Sequence, residues 1–502
     1  MSMRCVAVLF GALALGLGGA GCTRHVFAPD GAPGDAAADH PIPDSRPPPD
    51  GPAADAGKPH EWLFTAIGPE INASAVAVGA DGSVHVAGSF GAHALFGDIA
   101  KTAAGGADMF VAKLSADGEL LWLATASASA GAASYASASA LSLAVDTDGS
   151  LYLAGSFHGD IAFGSKAGPI VLHGPANSGA GFLARLAADG THFPWAIAVS
   201  GSQWGARVSG VAARGGALFV TGRFGGKLAL GAATLATGRD GDAFVARIAT
   251  DGQPVWATAT SGWWGHGAGG DAIAVDGAGD SWIVGRFDYE TTFGPVTLPT
   301  SKSGQFVAKV SATTHAFVWA VSIWGGIEAH PSDTSCECGI VLDASGHARV
   351  TGWFEELCNF DTINLITGRK GSAYVAELSP AGSFLGVFHA NGPAAGDRMT
   401  ASGVAIDHRG EVLFAGHLQP MTPIGASSPT ELYVAAPATP GQVTKLASAT
   451  GKLSGGGTPV AADSAGNLYV AGSIYGDASF GAKKVTVTTG SEVMFVWKLA
   501  LP

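Results

Sequence analysis

The sequence is poor in charged residues and in methionine. Only 13% of its 502 residues are Asp, Glu, Lys or Arg, and six are Met. Since long amphipathic helices draw on these residue types, their scarcity argues against a helical protein. The hydrophobic content of 47% excludes a mostly disordered chain, because it supplies enough apolar surface for a large core.

Basic residues and catalytic motifs are also lacking. The chain has 27 Lys and Arg against 40 Asp and Glu, and a net charge of -13 would repel a phosphate backbone, so nucleic acid is not an expected partner. No Gly-x-Ser-x-Gly elbow, His-Glu-x-x-His pair or phosphate-binding loop stands in a fitting context. We therefore expect no cofactor and favour a binding protein over an enzyme.

The first 59 residues predict export and a tether. Arg4, the apolar residues 6–17 and the small residues before Cys22 form a secretory signal, with residues 1–21 as the signal peptide. The apolar run is too short to span a bilayer. Residues 22–59 hold nine of the 26 prolines and six Asp. This composition predicts a disordered linker that reaches up to roughly 110 Å from its anchor.

The sequence Gly19-Ala20-Gly21-Cys22 resembles the end of a bacterial lipoprotein signal. The resemblance implies that Cys22 becomes the lipidated first residue and that the protein is anchored to the outer membrane or the cell surface. Its membrane contact would then be the anchor alone. Gly19 departs from the pattern, which prefers Leu at that position. The alternative is an ordinary secretory signal and a secreted soluble protein.

Residues 60–502 are built from one repeated motif. Glycine makes up 75 of the 502 residues, roughly twice the average usage of about 7%. The pattern Gly-x5-Gly recurs seven times, at steps of 56 to 67 residues. The pairs are Gly82/Gly88, Gly149/Gly155, Gly216/Gly222, Gly279/Gly285, Gly346/Gly352, Gly410/Gly416 and Gly466/Gly472. Apolar residues alternate between most pairs and Asp/Gly turns precede them, which predicts two antiparallel strands per copy.

Each copy contains two further strand patterns. A third strand begins with an aromatic residue, as at Phe110, and a fourth carries Trp, as at Trp122. Seven four-stranded antiparallel sheets predict an all-β protein that forms a seven-bladed β-propeller. The last copy ends after its third strand at Pro502, whereas residues 60–67 read like a fourth strand. We therefore predict that this N-terminal strand completes the last blade and closes the ring.

The fullest copy of the motif runs from Asp463 to Gly472 and reads Asp-x-x-Gly-x-x-Tyr-Val-Ala-Gly. It resembles the bacterial seven-bladed β-propeller repeat family of secreted and surface proteins. The resemblance covers about residues 60–502 and implies the fold and an extracytoplasmic setting, with no single activity. Copies one and three depart from it, with Gly79 and Ala213 in place of the Asp. We expect a monomer.

Two sets of loop residues are candidates for ligand binding on one face of the ring. A Trp-Gly pair recurs where a fourth strand leads into the next copy, at Trp204, Trp264 and Trp324. Flat aromatic faces suit sugar rings, apolar ligands or cations. Alternatively, these indoles fold inward and cap the groove between blades.

The second set follows the second glycine of each pair. Ser is the default there, at Ser89, Ser156 and Ser473, and the deviations are Arg223, Arg286, Trp353 and His417. Two Arg beside three Trp favour an anionic or polyhydroxylated ligand, through bidentate contacts and stacking. An inter-blade salt bridge is the alternative role for the arginines.

Three cysteines remain in the repeat region. We predict a disulfide between Cys336 and Cys358, which leaves Cys338 free. A zinc site that adds His330 and Asp333 is the alternative, although the Cys-x-Cys spacing is unusual for zinc.

The sequence thus favours a lipid-anchored surface propeller that binds a ligand or partner, with a glycan as one candidate. A structural scaffold of the cell envelope, in contact with other proteins, is a second hypothesis. A hydrolase or lyase that uses Glu328, His330 and His266 at the channel is a third.

Overall fold

The computed structural model describes residues 61–500 with short gaps. The gaps are 130–134, 176–177, 231–232, 237–240, 263–266, 299–302, 326–337, 394–396, 421–429, 439–441, 454–456 and 488–490. The repeat region belongs to a compact unit that spans Lys58–Pro502. The described residues form 35 strands and no helix, so the all-β prediction is confirmed. This part of the chain accordingly has no helix that could cross a membrane.

The strands vary from two to 20 residues in length and are mostly antiparallel. In chain order they are β1 (Trp62–Gly68), β2 (Asn72–Val78), β3 (Val84–Phe96), β4 (Ile99–Leu114), β5 (Leu120–Ser129), β6 (Ser137–Val145), β7 (Leu151–His158), β8 (Asp160–Phe163), β9 (Ile170–His173), β10 (Ala180–Leu186), β11 (Trp195–Arg214), β12 (Ala217–Leu230), β13 (Ala233–Ala236), β14 (Asp242–Ala249), β15 (Pro254–Ala259), β16 (Ser261–Gly262), β17 (Ala268–Val275), β18 (Ser281–Phe287), β19 (Thr291–Phe293), β20 (Val296–Leu298), β21 (Gly304–Val310), β22 (Phe317–Gly325), β23 (Ile340–Leu342), β24 (Ala348–Phe360), β25 (Ile363–Leu378), β26 (Phe384–Asn391), β27 (Arg398–Met399), β28 (Gly403–Ile406), β29 (Val412–Gln419), β30 (Thr430–Pro437), β31 (Val443–Leu453), β32 (Val460–Ala462), β33 (Asn467–Phe480), β34 (Lys483–Val485) and β35 (Glu492–Ala500).

The main strands pair in sets of four antiparallel neighbours. In order, the sets are β2-β3-β4-β5, β6-β7-β10-β11, β11-β12-β14-β15, β17-β18-β21-β22, β23-β24-β25-β26, β28-β29-β30-β31 and β32-β33-β35-β1, and we number them one to seven. The N-terminal strand β1 pairs with β35 from Trp62 opposite Lys498 to Gly68 opposite Glu492. The first strand of the region therefore supplies the fourth strand of set seven.

The two glycines of each repeat have different structural roles. All seven first glycines have positive φ, at Gly82, Gly149, Gly216, Gly279, Gly346, Gly410 and Gly466. The second glycines lie where neighbouring strands approach closely. A Cβ at Gly88 would lie 1.7 Å from the carbonyl oxygen of Asn72, and one at Gly416 would lie 1.8 Å from that of Thr400. A side chain is therefore strained at the first position and excluded at these second positions.

Hairpins that extend past the repeat strands link several sets to the one before, a feature that the sequence patterns did not reveal. The end of β3 pairs with β1 through Phe96 and Ala66, and β8 pairs with β5 through Phe163 and Ala126. The ring of Phe96 also packs 4.9 Å from that of Phe110, the aromatic residue of the third strand. These hairpins bury an aromatic pair where the sets join.

The tryptophans of the fourth strands connect successive sets. The indole Nε1 of Trp195 donates to the carbonyl oxygen of Thr250 at 2.8 Å, in the turn before the fourth strand of the following set. Trp62 makes the same contact with Ala116 at 2.8 Å, so set seven is tied to set one as other sets are tied to their neighbours. A Cβ at Gly118 would lie 2.6 Å from the Trp62 indole, which explains the glycine there.

The repeated Asp stabilises its turn and holds the side chain six residues later. Asp146 accepts a hydrogen bond from the hydroxyl of Tyr152 at 2.9 Å, and Asp463 accepts one from Tyr469 at 2.9 Å. In set four, Trp282 donates its indole hydrogen to Asp276 at 3.1 Å. Sets one and three have Gly79 and Ala213 instead of Asp, and the residues six positions later are His85 and Phe219. In these two sets both positions depart from the repeat together, whereas set six keeps Asp407 and has Leu413 six residues later.

His85 predicts a pH-dependent stability. It is buried beside Trp122, with ring centroids 6.0 Å apart. Burial lowers the pKa of His85 to about 4, and Lys113 acts in the same direction while Asp81 opposes it. The folded state therefore keeps His85 neutral, whereas the unfolded chain gains a proton below about pH 6.5. We expect the free energy of unfolding to fall by about 3 kcal/mol from this residue as the pH is lowered from 7 to 4.

The measurement is urea unfolding across this pH range for the wild type and for His85→Phe. Phe is the residue that set three has at the equivalent position, Phe219. The variant should lose the His85 contribution, so that its stability depends less on pH than that of the wild type. Equal pH dependence in the two proteins would show that His85 is not the titrating group.

Candidate functional site

One cleft brings three of the predicted ligand-binding residues together. It has a volume of about 660 Å³ and lies among strands β7, β11, β12, β17 and β18. Trp204, Arg223 and Arg286 line it, together with a further arginine, Arg207. We call it the arginine cleft. A cleft of this size lies within the range of small-ligand sites.

Arg207 is a site residue that sequence reasoning missed. Register places it directly opposite Arg223 in the β11–β12 ladder. The equivalent pairs in other sets are Asn72 with Ser89, Ser139 with Ser156 and Gly269 with Arg286. Among sets one to four, set three alone has a charged residue on both strands at this position. Comparing the first strands of the repeats at this position could have found it.

The Arg207–Arg223 pair is unusual because its charges have the same sign. Like charges directly opposite in a sheet destabilise it by roughly 0.2–1 kcal/mol. The carboxylate of Asp271 offsets part of this effect, because it favours the charged form of Arg207. An anion between or above the two guanidinium groups would turn the repulsion into binding energy.

A β-bulge places a carboxylate in the same cleft. The register of β17 and β18 shifts between Gly270 and Ala272, and Asp271 is the extra residue. Its Oδ2 lies 3.7 Å from Nε of Arg286. The same shift occurs around Ser74, Leu141 and Ser209 in sets one to three. Set four thus has an acidic side chain at a position that is uncharged in those sets.

The electrostatics of the cleft favour an anion. Burial lowers the pKa of Arg207 below its usual value, Asp271 opposes this effect and Arg286 adds to it. Arginine nevertheless stays protonated in proteins. The lining residues include three guanidinium groups against the two carboxylates of Asp271 and Asp288, in a chain with a net charge of -13.

A glycine makes room for the Arg223 side chain. A Cβ at Gly241 would lie 2.9 Å from its Nε, whereas one at Gly269 would make an ordinary contact with its Cβ at 3.6 Å. Both glycines line the cleft. Arg223 is thus guided across the junction of sets three and four. His158, on β7, also lines the cleft and stacks on Tyr135 with ring centroids 4.8 Å apart. Burial lowers the pKa of His158.

The other candidate residues that the structure describes are not among the lining of this cleft. Trp324 is 41% exposed on β22. The ring of Trp353 is covered by the guanidinium of Arg398, whose Cζ lies 3.6 Å from the ring centroid. His417 is buried, and its Nε2 lies 2.6 Å from the hydroxyl of Thr458. Trp264 lies outside the described residues, as do the hydrolase candidates Glu328, His330 and His266.

The cysteine prediction needs correction. Cys358 is a free, buried thiol on β24, and burial raises its pKa to about 12. Cys338, which we expected to be free, is disulfide-bonded. The predicted Cys336–Cys358 disulfide is therefore wrong, because the strand pairing buries Cys358 opposite Gly325 and Leu365. Within the described ranges, no group of three His, Cys, Asp or Glu side chains could hold a metal ion.

Comparisons with known proteins give distant structural similarities. No family model matches the chain, and no curated protein matches it. A protein of unknown function from Bacteroides caccae is 12% identical, with 58% of this chain and 78% of that chain covered and a TM-score of 0.31. One from Dyadobacter fermentans is 9% identical, with coverages of 87% and 98% and a TM-score of 0.37.

A third solved structure is a polysaccharide lyase, an ulvan lyase bound to -[GlcA(1-4)Rha3S]-. The two chains are 8% identical. The match covers 85% of this chain and 96% of the lyase, with a TM-score of 0.42. All three TM-scores are below 0.5.

Proposed function

We propose that this protein is an extracytoplasmic binding protein whose arginine cleft holds an anionic ligand. The observation that carries the proposal is the convergence of Arg207, Arg223 and Arg286 on one cleft in an acidic protein. Three guanidinium groups supply planar donor pairs for a carboxylate, sulfate or phosphate group. Local positive charge within an acidic surface concentrates an anionic ligand at the cleft.

We further propose that the four-stranded sets are the blades of a seven-bladed β-propeller. The pairing of β1 with β35 supports closure of the ring by the N-terminal strand. The hydrogen bond from Trp62 to Ala116 also supports closure. It joins set seven to set one in the same way that the hydrogen bond from Trp195 to Thr250 joins set two to set three. In a closed ring, the arginine cleft would lie between neighbouring blades on one face.

The secretory and lipidation signals complete the proposal. Cys22 would carry the lipid, and residues 22–59 would hold the propeller away from the membrane surface. Labelling cells with a fatty acid tests this part. We expect label on the wild type and none on Cys22→Ser, and an unlabelled wild type would instead indicate a secreted soluble protein.

Thermal unfolding of the full purified chain tests anion binding. We expect sodium sulfate to raise the melting temperature more than sodium chloride at equal ionic strength, because a ligand that binds only the folded state stabilises it. Sulfate also stabilises folded proteins generally, because it is excluded from their surface, so the part of this difference that Arg223→Gln loses is the part due to binding in the cleft. The control is Lys227→Gln, which removes the same charge from an exposed position on the same strand outside the cleft.

Two results would count against the proposal. Equal stabilisation by sulfate and chloride would indicate that the cleft holds no anion. A sulfate effect that survives in Arg223→Gln but not in Lys227→Gln would place the anion elsewhere. Crosslinking in intact cells, followed by mass spectrometry, would then test whether the protein is an envelope scaffold.

A further inference from the structure

Trp204 stands at the arginine cleft in a conformation that serves no packing role. The residue is 79% exposed, and its φ of 54° lies in the left-handed region that large side chains avoid. It lines the cleft, so the exposed indole is at the cleft mouth. A strained backbone that presents an uncovered aromatic ring points to a function for that ring.

The turn that carries Trp204 is held firmly. The register shift between Gln203 and Ala206 moves Trp204 and Gly205 out of the β11–β12 ladder. On one side, the backbone N–H of Ala206 donates to the carbonyl oxygen of Gly179 at 3.1 Å. A Cβ at Gly205 would lie 2.2 Å from that same oxygen. The indole is thus displayed on a preorganised turn, which lowers the entropy cost of binding.

The opposite side of the turn is fixed as well. The backbone N–H of Lys227 donates to the hydroxyl of Ser202 at 2.8 Å. Gly225 lies under the turn, where a Cβ would come 3.0 Å from the Cβ of Trp204. Gly225 thus leaves room for the turn and for the Cβ of Trp204.

The charges around Trp204 narrow the ligand class. An indole face can attract a cation, but Arg207, Arg223 and Arg286 would repel one. A sugar ring also stacks on an indole face, and the hydroxyls of Ser209 and Ser303 in the lining can bind its hydroxyl groups.

The two acidic residues narrow the class further. The carboxylates of Asp271 and Asp288 line the cleft, and carboxylates can accept hydrogen bonds from sugar hydroxyls. They would repel a ligand that carries several phosphate charges. One acid group on a polyhydroxylated ring fits the whole lining.

From these contacts we infer that the ligand is an acidic saccharide, which rests on the proposed anion-binding function. One sugar ring stacks on Trp204, and the carboxylate or sulfate group of the saccharide binds the three arginines. The carboxylates of Asp271 and Asp288 accept hydrogen bonds from hydroxyl groups of the saccharide. A uronic acid and a sulfated sugar share this chemistry.

Isothermal titration calorimetry on the full purified chain tests the inference. The probes are trigalacturonate, a monosulfated galactose disaccharide, neutral galactotriose, uridine monophosphate and inorganic sulfate. We expect binding of at least one acidic saccharide, at least about 10-fold weaker binding of galactotriose and uridine monophosphate, and a preference between trigalacturonate and the sulfated disaccharide that identifies the acid group.

Substitution of Trp204 supplies the second readout. Trp204→Ala should weaken binding of the acidic saccharide at least about 10-fold. Binding of inorganic sulfate should be unchanged, because sulfate has no ring to stack on the indole. Trp204→Phe should restore most of the saccharide affinity. Ile366→Ala is the matched control, since Ile366 is also 79% exposed but lies in set five.

The outcomes separate the two proposals. If sulfate stabilises the wild type more than Arg223→Gln but Trp204→Ala binds the acidic saccharide as the wild type does, the saccharide inference is overturned and anion binding stands. Tightest binding of uridine monophosphate or galactotriose likewise overturns the saccharide inference. If neither sulfate nor an acidic saccharide binds, the anion-binding function itself is overturned.

Discussion

Changing Arg223 to Gln is expected to weaken binding of an acidic ligand about 10- to 100-fold and to leave the free protein equally stable or more stable. A hydrogen bond to a charged group contributes roughly 1.5–3 kcal/mol, and each 1.4 kcal/mol corresponds to a factor of about ten in affinity. Removing one charge from the Arg207–Arg223 pair relieves a repulsion of roughly 0.2–1 kcal/mol. Calorimetric titration and urea unfolding measure the two effects.

The opposite signs of these effects distinguish a binding residue from a structural one. If Arg223 served the fold, its loss would lower the free energy of unfolding and change affinity little. Lys227→Gln controls for the general loss of positive charge, because Lys227 is exposed on the same strand. Arg207→Gln should weaken binding at least as much, although Asp271 would then lose a neighbouring positive charge.

Changing Trp62 to Ala is expected to lower the free energy of unfolding by about 3–5 kcal/mol. This loss is typical of a buried aromatic residue replaced by Ala. Trp62 is 8% exposed, packs with its ring centroid 5.9 Å from that of Tyr469 and donates a hydrogen bond to Ala116. The substitution removes contacts with both set seven and set one.

Urea unfolding of Trp62→Ala, Trp62→Phe and Leu121→Ala tests this expectation. Trp62→Phe keeps most of the buried surface and loses the indole donor, so we expect a smaller loss, of about 1–3 kcal/mol. Leu121 is 53% exposed on β5, and its substitution should change stability by about 0.5 kcal/mol or less. A loss below about 1 kcal/mol for Trp62→Ala would contradict a closing role for β1.

Local patterns predicted the strands and turns well. Each first glycine was expected in a turn, and all seven have positive φ. The fourth strand expected at residues 60–67 is β1, and it pairs with β35 as predicted. Even set six, whose third strand runs to Pro437 and whose fourth strand has no Trp, forms its four strands. These features depend on residues close together in sequence, which is why the patterns reveal them.

Contacts between distant residues were predicted less well. The disulfide was assigned to Cys358, which the β24 pairing buries as a free thiol. Arg207 and Asp271 were missed because neither belongs to the Gly-x5-Gly motif. Asp271 reaches the cleft through a β-bulge, and a bulge changes register without an unambiguous sequence pattern.

By itself, the sequence determined an all-β chain of repeated antiparallel strands, because alternation and Asp/Gly turns act within a few residues. It also marked where the repeat deviates, at Arg223, Arg286, Trp353 and His417. Only the tertiary structure decided which deviations meet. Arg223 and Arg286 share a cleft, whereas His417 is buried against Thr458. The physical reason is that such meetings depend on the register and packing of neighbouring sets, which bulges and extended hairpins alter.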